Sequence, residues 1–120
     1  MGLDMYARKT KKKISKMVDF KSDQYEEFYY WRKHPDLHGW MEDLYVSKGG
    51  KRVFNLTPVR LTLDDLDRLE TDIREGNLPY TAGFFFGESD GTEVEGDLEF
   101  VALARAAIRD GYTVYYSSWW

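Results

Sequence analysis

The chain contains no cysteine, which removes disulfide frameworks, thiol nucleophiles and cysteine-held zinc. That absence fits a reducing compartment. No apolar run approaches the roughly 18 residues needed to cross a bilayer. The opening residues lack an apolar signal core and carry Asp4, which argues against a secretory leader. Met-Gly at the start could begin a myristoylation signal, but Tyr6 stands where Ser or Thr is required. A cytoplasmic protein without a membrane partner is therefore expected. Excess charge of one sign is also missing. A formal net charge of −4 is too weak for a DNA mimic and of the wrong sign for an obligate nucleic-acid binder.

What the chain does have is rings. Aromatic residues make up 17% of it and charged residues 32%. The first supply a core of large apolar area, and the second a solvated surface rather than disorder. A length of 120 residues fits one domain over residues 1–120.

Local patterns predict the elements. Residues 3–8 alternate Leu3, Met5 and Ala7 against Asp4, Tyr6 and Arg8, which is strand periodicity. The lysines that follow read as a loop, and residues 14–20 as a short edge strand. Residues 27–33 form an aromatic strand with Phe28, Tyr30 and Arg32 on one face and Tyr29, Trp31 and Lys33 on the other. Pro35 suits a helix start, and Leu37, Trp40, Met41 and Leu44 make one apolar helical face. Gly49-Gly50 turns the chain into extended residues 51–61, interrupted by Pro58. Thr62 caps a second helix with Asp65, and Leu63, Leu66, Leu69 and Ile73 line it. Gly76 and Pro79 stop it. Residues 80–87 are β-prone, Thr92 and Glu95 read as a capping box for a helix to Asp110, and residues 112–119 close as a strand. Strand, helix, strand over 80–119 has the length of a right-handed parallel crossover. The expected class is α+β, with three helices and a mixed sheet of about four to six strands.

Three stretches carry a resemblance: MGLDMY at 1–6, YYWRKHPDLHGW at 29–40, and AGFFFGESD at 82–90 followed by VYYSSWW at 114–120. In order and spacing they are similar to a family of small phage and prophage proteins whose members often carry the label phosphoglycerate kinase. The label does not suit this chain, which is too short for two nucleotide- and substrate-closing domains and has no Gly-rich loop followed by Lys and Ser or Thr. The resemblance implies a phage accessory protein acting inside a bacterial host, and no particular reaction. The shared positions are Tyr30, Trp31, Arg32, Lys33, His38, Trp40, Phe84, Phe85, Gly87, Tyr116, Ser118 and Trp119. His34 and the lysine run fall outside them.

Among these, Arg32, Lys33 and His38, ringed by Tyr30, Trp31 and Trp40, form the leading binding candidate. Arg supplies a planar fork for carboxylate or phosphate, the rings supply stacking faces, and His exchanges protons near neutrality. Tyr116, Ser118 and Trp119 of the tail would join them around one guanidinium. The plainer alternative makes Trp31 and Trp40 core and pairs Arg32 with a carboxylate. The expected partner is a host protein. A small anionic ligand or nucleotide is the second reading, and nucleic acid on Arg8, Lys9, Lys11, Lys12, Lys13 and Lys16 the third.

His34 and His38 stand at zinc-sharing spacing with Glu42 one turn on, but two imidazoles fall short of a ligand set, so no metal or cofactor is expected. GFFFG at 83–87 reads as a central strand with a tight exit. Trp119 and Trp120 read as docked rings or an interface. Ser117 and Ser118 lie on a strand without a nucleophile elbow, and the acidic residues of 64–75 lie on a helix's polar side. The sequence thus leans away from an enzyme.

Overall fold

A computed structural model describes residues 2–82, 87 and 89–120. In chain order the elements are β1 (Asp4–Thr10), β2 (Glu26–Arg32), α1 (Pro35–Ser47), β3 (Val59–Leu61), α2 (Leu63–Arg74), α3 (Val94–Arg109) and β4 (Thr113–Trp119). The fold is α+β, with three helices and one four-stranded sheet ordered β2-β1-β4-β3. All of its strand pairings among the described residues are antiparallel. The expected parallel crossover needed a strand at 80–87. Residues 80–82 are not in one, and 83–86, which hold most of GFFFG, lie outside the described residues. β4 is flanked by β1 and β3 on its two edges.

Alternation decides which side of the sheet faces the helices. Leu3 just before β1, Met5 and Ala7 of β1, Trp31 from β2, Val59 and Leu61 from β3, and Val114 and Tyr116 from β4 are buried in one core cluster. From the helices, Leu37, Trp40, Met41 and Leu44 of α1 enter it, with Leu66, Leu69 and Ile73 of α2 and Phe100, Val101, Ala104 and Ala107 of α3. Leu63, expected in the α2 stripe, is instead exposed at the first turn. Phe100 is the hub of the ring cluster, with its centroid 4.7 Å from Trp31 and 5.9 Å from each of Phe28 and Tyr29.

Phe28 departs from the face expected for it. The β1–β2 register shifts between Ala7 and Arg8, so Phe28 is the extra residue of a bulge. A bulge re-aims a side chain, and here it turns Phe28 to the helix side. The segment expected as a strand at 14–20 forms only the isolated bridge Val18 to Val59, because Asp19 takes a left-handed backbone (φ 56°) that ends extension. Leu56, at φ 61°, likewise confines the third strand to the three residues after Pro58.

Two helix starts contrast. Thr62 accepts from the Asp65 amide while the Asp65 carboxylate accepts from the Thr62 amide, the reciprocal box read from the sequence. Thr62→Ala should cost about 1 kcal/mol, read as a lower urea midpoint at unchanged slope. At α3 the expected Thr92–Glu95 box is absent. The Thr92 hydroxyl is taken by Asp90 at 2.6 Å, and Glu93 occupies the cap without a side-chain bond. None of these helices is long and apolar enough to cross a membrane.

Candidate functional site

The side of the sheet away from the helices is only partly covered. Residues 11–25 lie over β4, where Phe20 meets the Tyr115 ring edge-on at 5.2 Å. Beyond that cover, Asp4 and Tyr6 of β1 face outward between Tyr30 and Arg32 of β2 and Trp119 of β4. Pairing fixes the rows: Asp4 stands opposite Arg32 on one side and Trp119 on the other, and Tyr6 opposite Tyr30. The Tyr30 hydroxyl donates to Asp4 Oδ1 at 2.5 Å, and that bond raises the hydroxyl's pKa above the ordinary tyrosine value. Arg32 Nε lies 4.0 Å from the same oxygen. Tyr6 and Tyr30 pack at 5.6 Å, and the Arg8 guanidinium lies 4.9 Å from the Tyr6 centroid and 4.4 Å from that of Tyr25. Tyr30 is 47% and Trp119 60% exposed.

The set expected to gather around one guanidinium is divided instead. Tyr30, Arg32 and Trp119 share the outward face. Lys33 is exposed at the turn into α1 with φ 55°. Trp31, His38, Trp40, Tyr116 and Ser118 are buried. The physical reason is the period of two in β2, which sends Arg32 to one face and Trp31 to the other, while α1 packs on the Trp31 side.

Two of the buried members, His38 and Tyr116, are bonded to each other. His38 is 2% exposed, Nδ1 lies 2.7 Å from the Tyr116 hydroxyl, and the Phe54 ring sits 5.0 Å away. Burial pushes its pKa down to about 4, so the ring is neutral at pH 7 and does not attract an anion. The Trp40 indole N–H donates to Asp72 at 2.8 Å.

The lysine run is similarly dispersed. Lys9 pairs with Glu26 at 3.3 Å, Lys12 with Asp23 at 3.0 Å, and Lys11 donates to the Asp110 carbonyl at 2.8 Å. Lys13 and Lys16 are exposed.

The structure also brings together a set that sequence spacing does not suggest. His34, directly before α1, is 3% exposed and Asp97 is 1% exposed. His34 Nε2 lies 2.7 Å from Asp97 Oδ2, and Nδ1 lies 2.7 Å from the Ser89 hydroxyl. The Trp31 indole donates to Asp97 Oδ1 at 3.1 Å. His34 and His38 thus turn to different partners. One signal for this cluster is present in the sequence. Asp97, Phe100, Val101, Ala104 and Ala107 recur at 3.6-residue spacing, which puts a carboxylate at the head of a buried stripe.

Neither protein-family models, curated proteins nor solved structures give a match to this chain. What each surface can do must be read from its own geometry. The outward face offers amphipathic rings and a pre-formed Asp–Arg pair. The His34 cluster offers an ordered proton relay.

Proposed function

We propose that the chain is an interaction protein, of the phage accessory kind its motifs resemble, which docks a host protein on the open face of the sheet. The observation that carries this reading is the exposure of Tyr30 and Trp119 beside the Asp4–Arg32 pair. Tyr, Trp and Arg are the residues that most often dominate binding energy, because they bury large area at small entropic cost and keep a polar handle. A mixed-sign pair between them suits a protein surface with a polar rim better than a polyanion, which Asp4, Glu26 and Glu27 would repel. The anion-pocket reading loses its basis, since His38 is neutral and sealed and Arg32 already faces Asp4. The nucleic-acid reading is weakened by the acidic partners of Lys9 and Lys12.

The test is capture from lysates of several bacterial hosts by wild type, by Tyr30→Ala/Trp119→Ala, and by Leu103→Ala, a control at an exposed α3 position. The expected result is one protein retained by wild type and control and reduced at least about tenfold by the double variant, since two interface rings commonly contribute more than about 1.4 kcal/mol. Equal retention by all three, or no retained protein, would refute docking at this face.

A further inference from the structure

We propose that Ser89, His34 and Asp97 form a nucleophile–base–carboxylate relay that hydrolyses a short, uncharged carboxylic ester. It stands independently of docking on the sheet, and it departs from the non-enzymatic expectation drawn from sequence.

Hydrogen-bond bookkeeping orders the protons. Asp97, as a carboxylate, only accepts, and Oδ1 already receives the Trp31 indole N–H. Oδ2, 2.7 Å from His34 Nε2, therefore receives the Nε2–H. That leaves the Nδ1 lone pair to accept from the Ser89 hydroxyl at 2.7 Å. This is the tautomer in which an imidazole can take a proton from a serine while a buried carboxylate stabilises the resulting cation. Glu93, with an oxygen 3.6 Å from Nδ1, adds to that stabilisation.

A purely structural account makes Ser89 a cap, because its Oγ also accepts from the Asp36 amide at 3.1 Å in the first turn of α1. Capping needs only that acceptor. It does not call for a buried carboxylate on the far nitrogen of a buried histidine, nor for a cavity beside the hydroxyl. A cavity of about 170 Å³ is lined by Ser89, His34 and Asp97, with apolar walls from Ile73, Leu78 and Val94. Drug-sized ligands occupy roughly 300–1,000 Å³, so this space suits a short acyl group. Asp36 and Glu93 on the same lining disfavour an anionic substrate.

The chemistry balances with water as co-reactant. Ser89 Oγ bonds to the ester carbonyl carbon as its proton passes to His34 Nδ1. Collapse of the tetrahedral adduct breaks the bond to the alkoxy oxygen, which leaves as the alcohol with that proton. Water then attacks acyl-Ser89, gives a proton to Nδ1, and releases the carboxylic acid as the hydroxyl is restored.

The experiment treats the full chain with an alkyl fluorophosphonate, locates the adduct by peptide mass spectrometry, and follows p-nitrophenyl acetate hydrolysis. Wild type and Leu103→Ala should be labelled at Ser89 and turn over ester. Ser89→Ala and His34→Asn should lose both at least about a hundredfold. Because the protein has no cysteine, Ser89→Cys supplies its one thiol and separates catalysis from capping. Alkylation of that thiol should titrate well below the ordinary thiol pKa of about 8.5, and addition of His34→Gln should return it there. An unlabelled Ser89 in folded wild type, or an ordinary thiol titration in Ser89→Cys with His34 intact, would overturn the relay.

Discussion

Asp97→Ala should destabilise the protein by about 3–5 kcal/mol, which at this size shifts the urea midpoint by more than about 1 M. The size follows from what the substitution leaves behind. Asp97 is buried and accepts from two different elements, the indole of Trp31 on β2 and the imidazole of His34 before α1. Truncation leaves two buried donors without their acceptor, and each unsatisfied group costs on the order of 1–3 kcal/mol. It also opens a gap beside Phe100, one turn away on the same buried stripe. Asp97→Asn should cost less, because its carbonyl still receives the Trp31 N–H. Its amide would oppose His34 Nε2–H, forcing the other tautomer and breaking the bond from Ser89. Trp31→Phe, which deletes one donor and keeps a ring on Phe100, should cost about 1–2 kcal/mol. In a double-mutant cycle the Asp97→Ala and Trp31→Phe losses should fall short of additivity by more than about 0.5 kcal/mol, the threshold for residues in contact. Full additivity, or an Asp97→Ala loss below about 1 kcal/mol, would refute Asp97 as the shared acceptor of the two donors.

Much of this fold is legible because local chemistry and tertiary packing agree. The α1 stripe, the Thr62–Asp65 box and the alternation of β1 all survive folding, since each is stated within a few residues and nothing distant competes. Departures arise where the local pattern has a competitor that it does not show. A period of two puts Phe28 on the outer face, and the bulge against Ala7 and Arg8 breaks that period. Thr92 has the chemistry of a cap, but Asp90 holds its hydroxyl.

The candidate sites divide along the same line. The separation of Arg32 from Trp31 is already implicit in strand alternation, and only the assumption of a shared guanidinium hides it. The His34 cluster is harder to see. Its partners lie 55 and 63 residues away, and two-histidine spacing points instead to a metal. The buried carboxylate on the α3 stripe is the one local clue, because an aspartate in a core register demands donors that the helix cannot supply.

Acidification should remove about 3 kcal/mol of stability between pH 6.5 and about 4, before most carboxylates are protonated, with His38 responsible. Burial among the rings of Phe54 and Tyr116 lowers its pKa from 6.5 to about 4. In that window the unfolded chain binds a proton that the folded protein refuses. Stability therefore rises with pH up to about 6.5 and is flat above it as far as this group is concerned. Asp65 acts lower on the scale. Its burial alone would raise the carboxyl pKa, but hydrogen bonds from Lys48 and the Thr62 amide outweigh that and hold it below 3.8. Its stabilisation is present above 3.8 and disappears as pH falls through the lowered value, so the two losses are sequential. Urea titrations at steps of about half a pH unit should resolve them. His38→Gln should flatten the upper window while lowering stability at neutral pH, because an amide replaces the imidazole against the buried Tyr116 hydroxyl. Tyr116→Phe should leave the upper slope in place, since desolvation rather than the hydroxyl sets the imidazole's pKa. A wild-type slope retained by His38→Gln would refute the assignment of this protonation to His38.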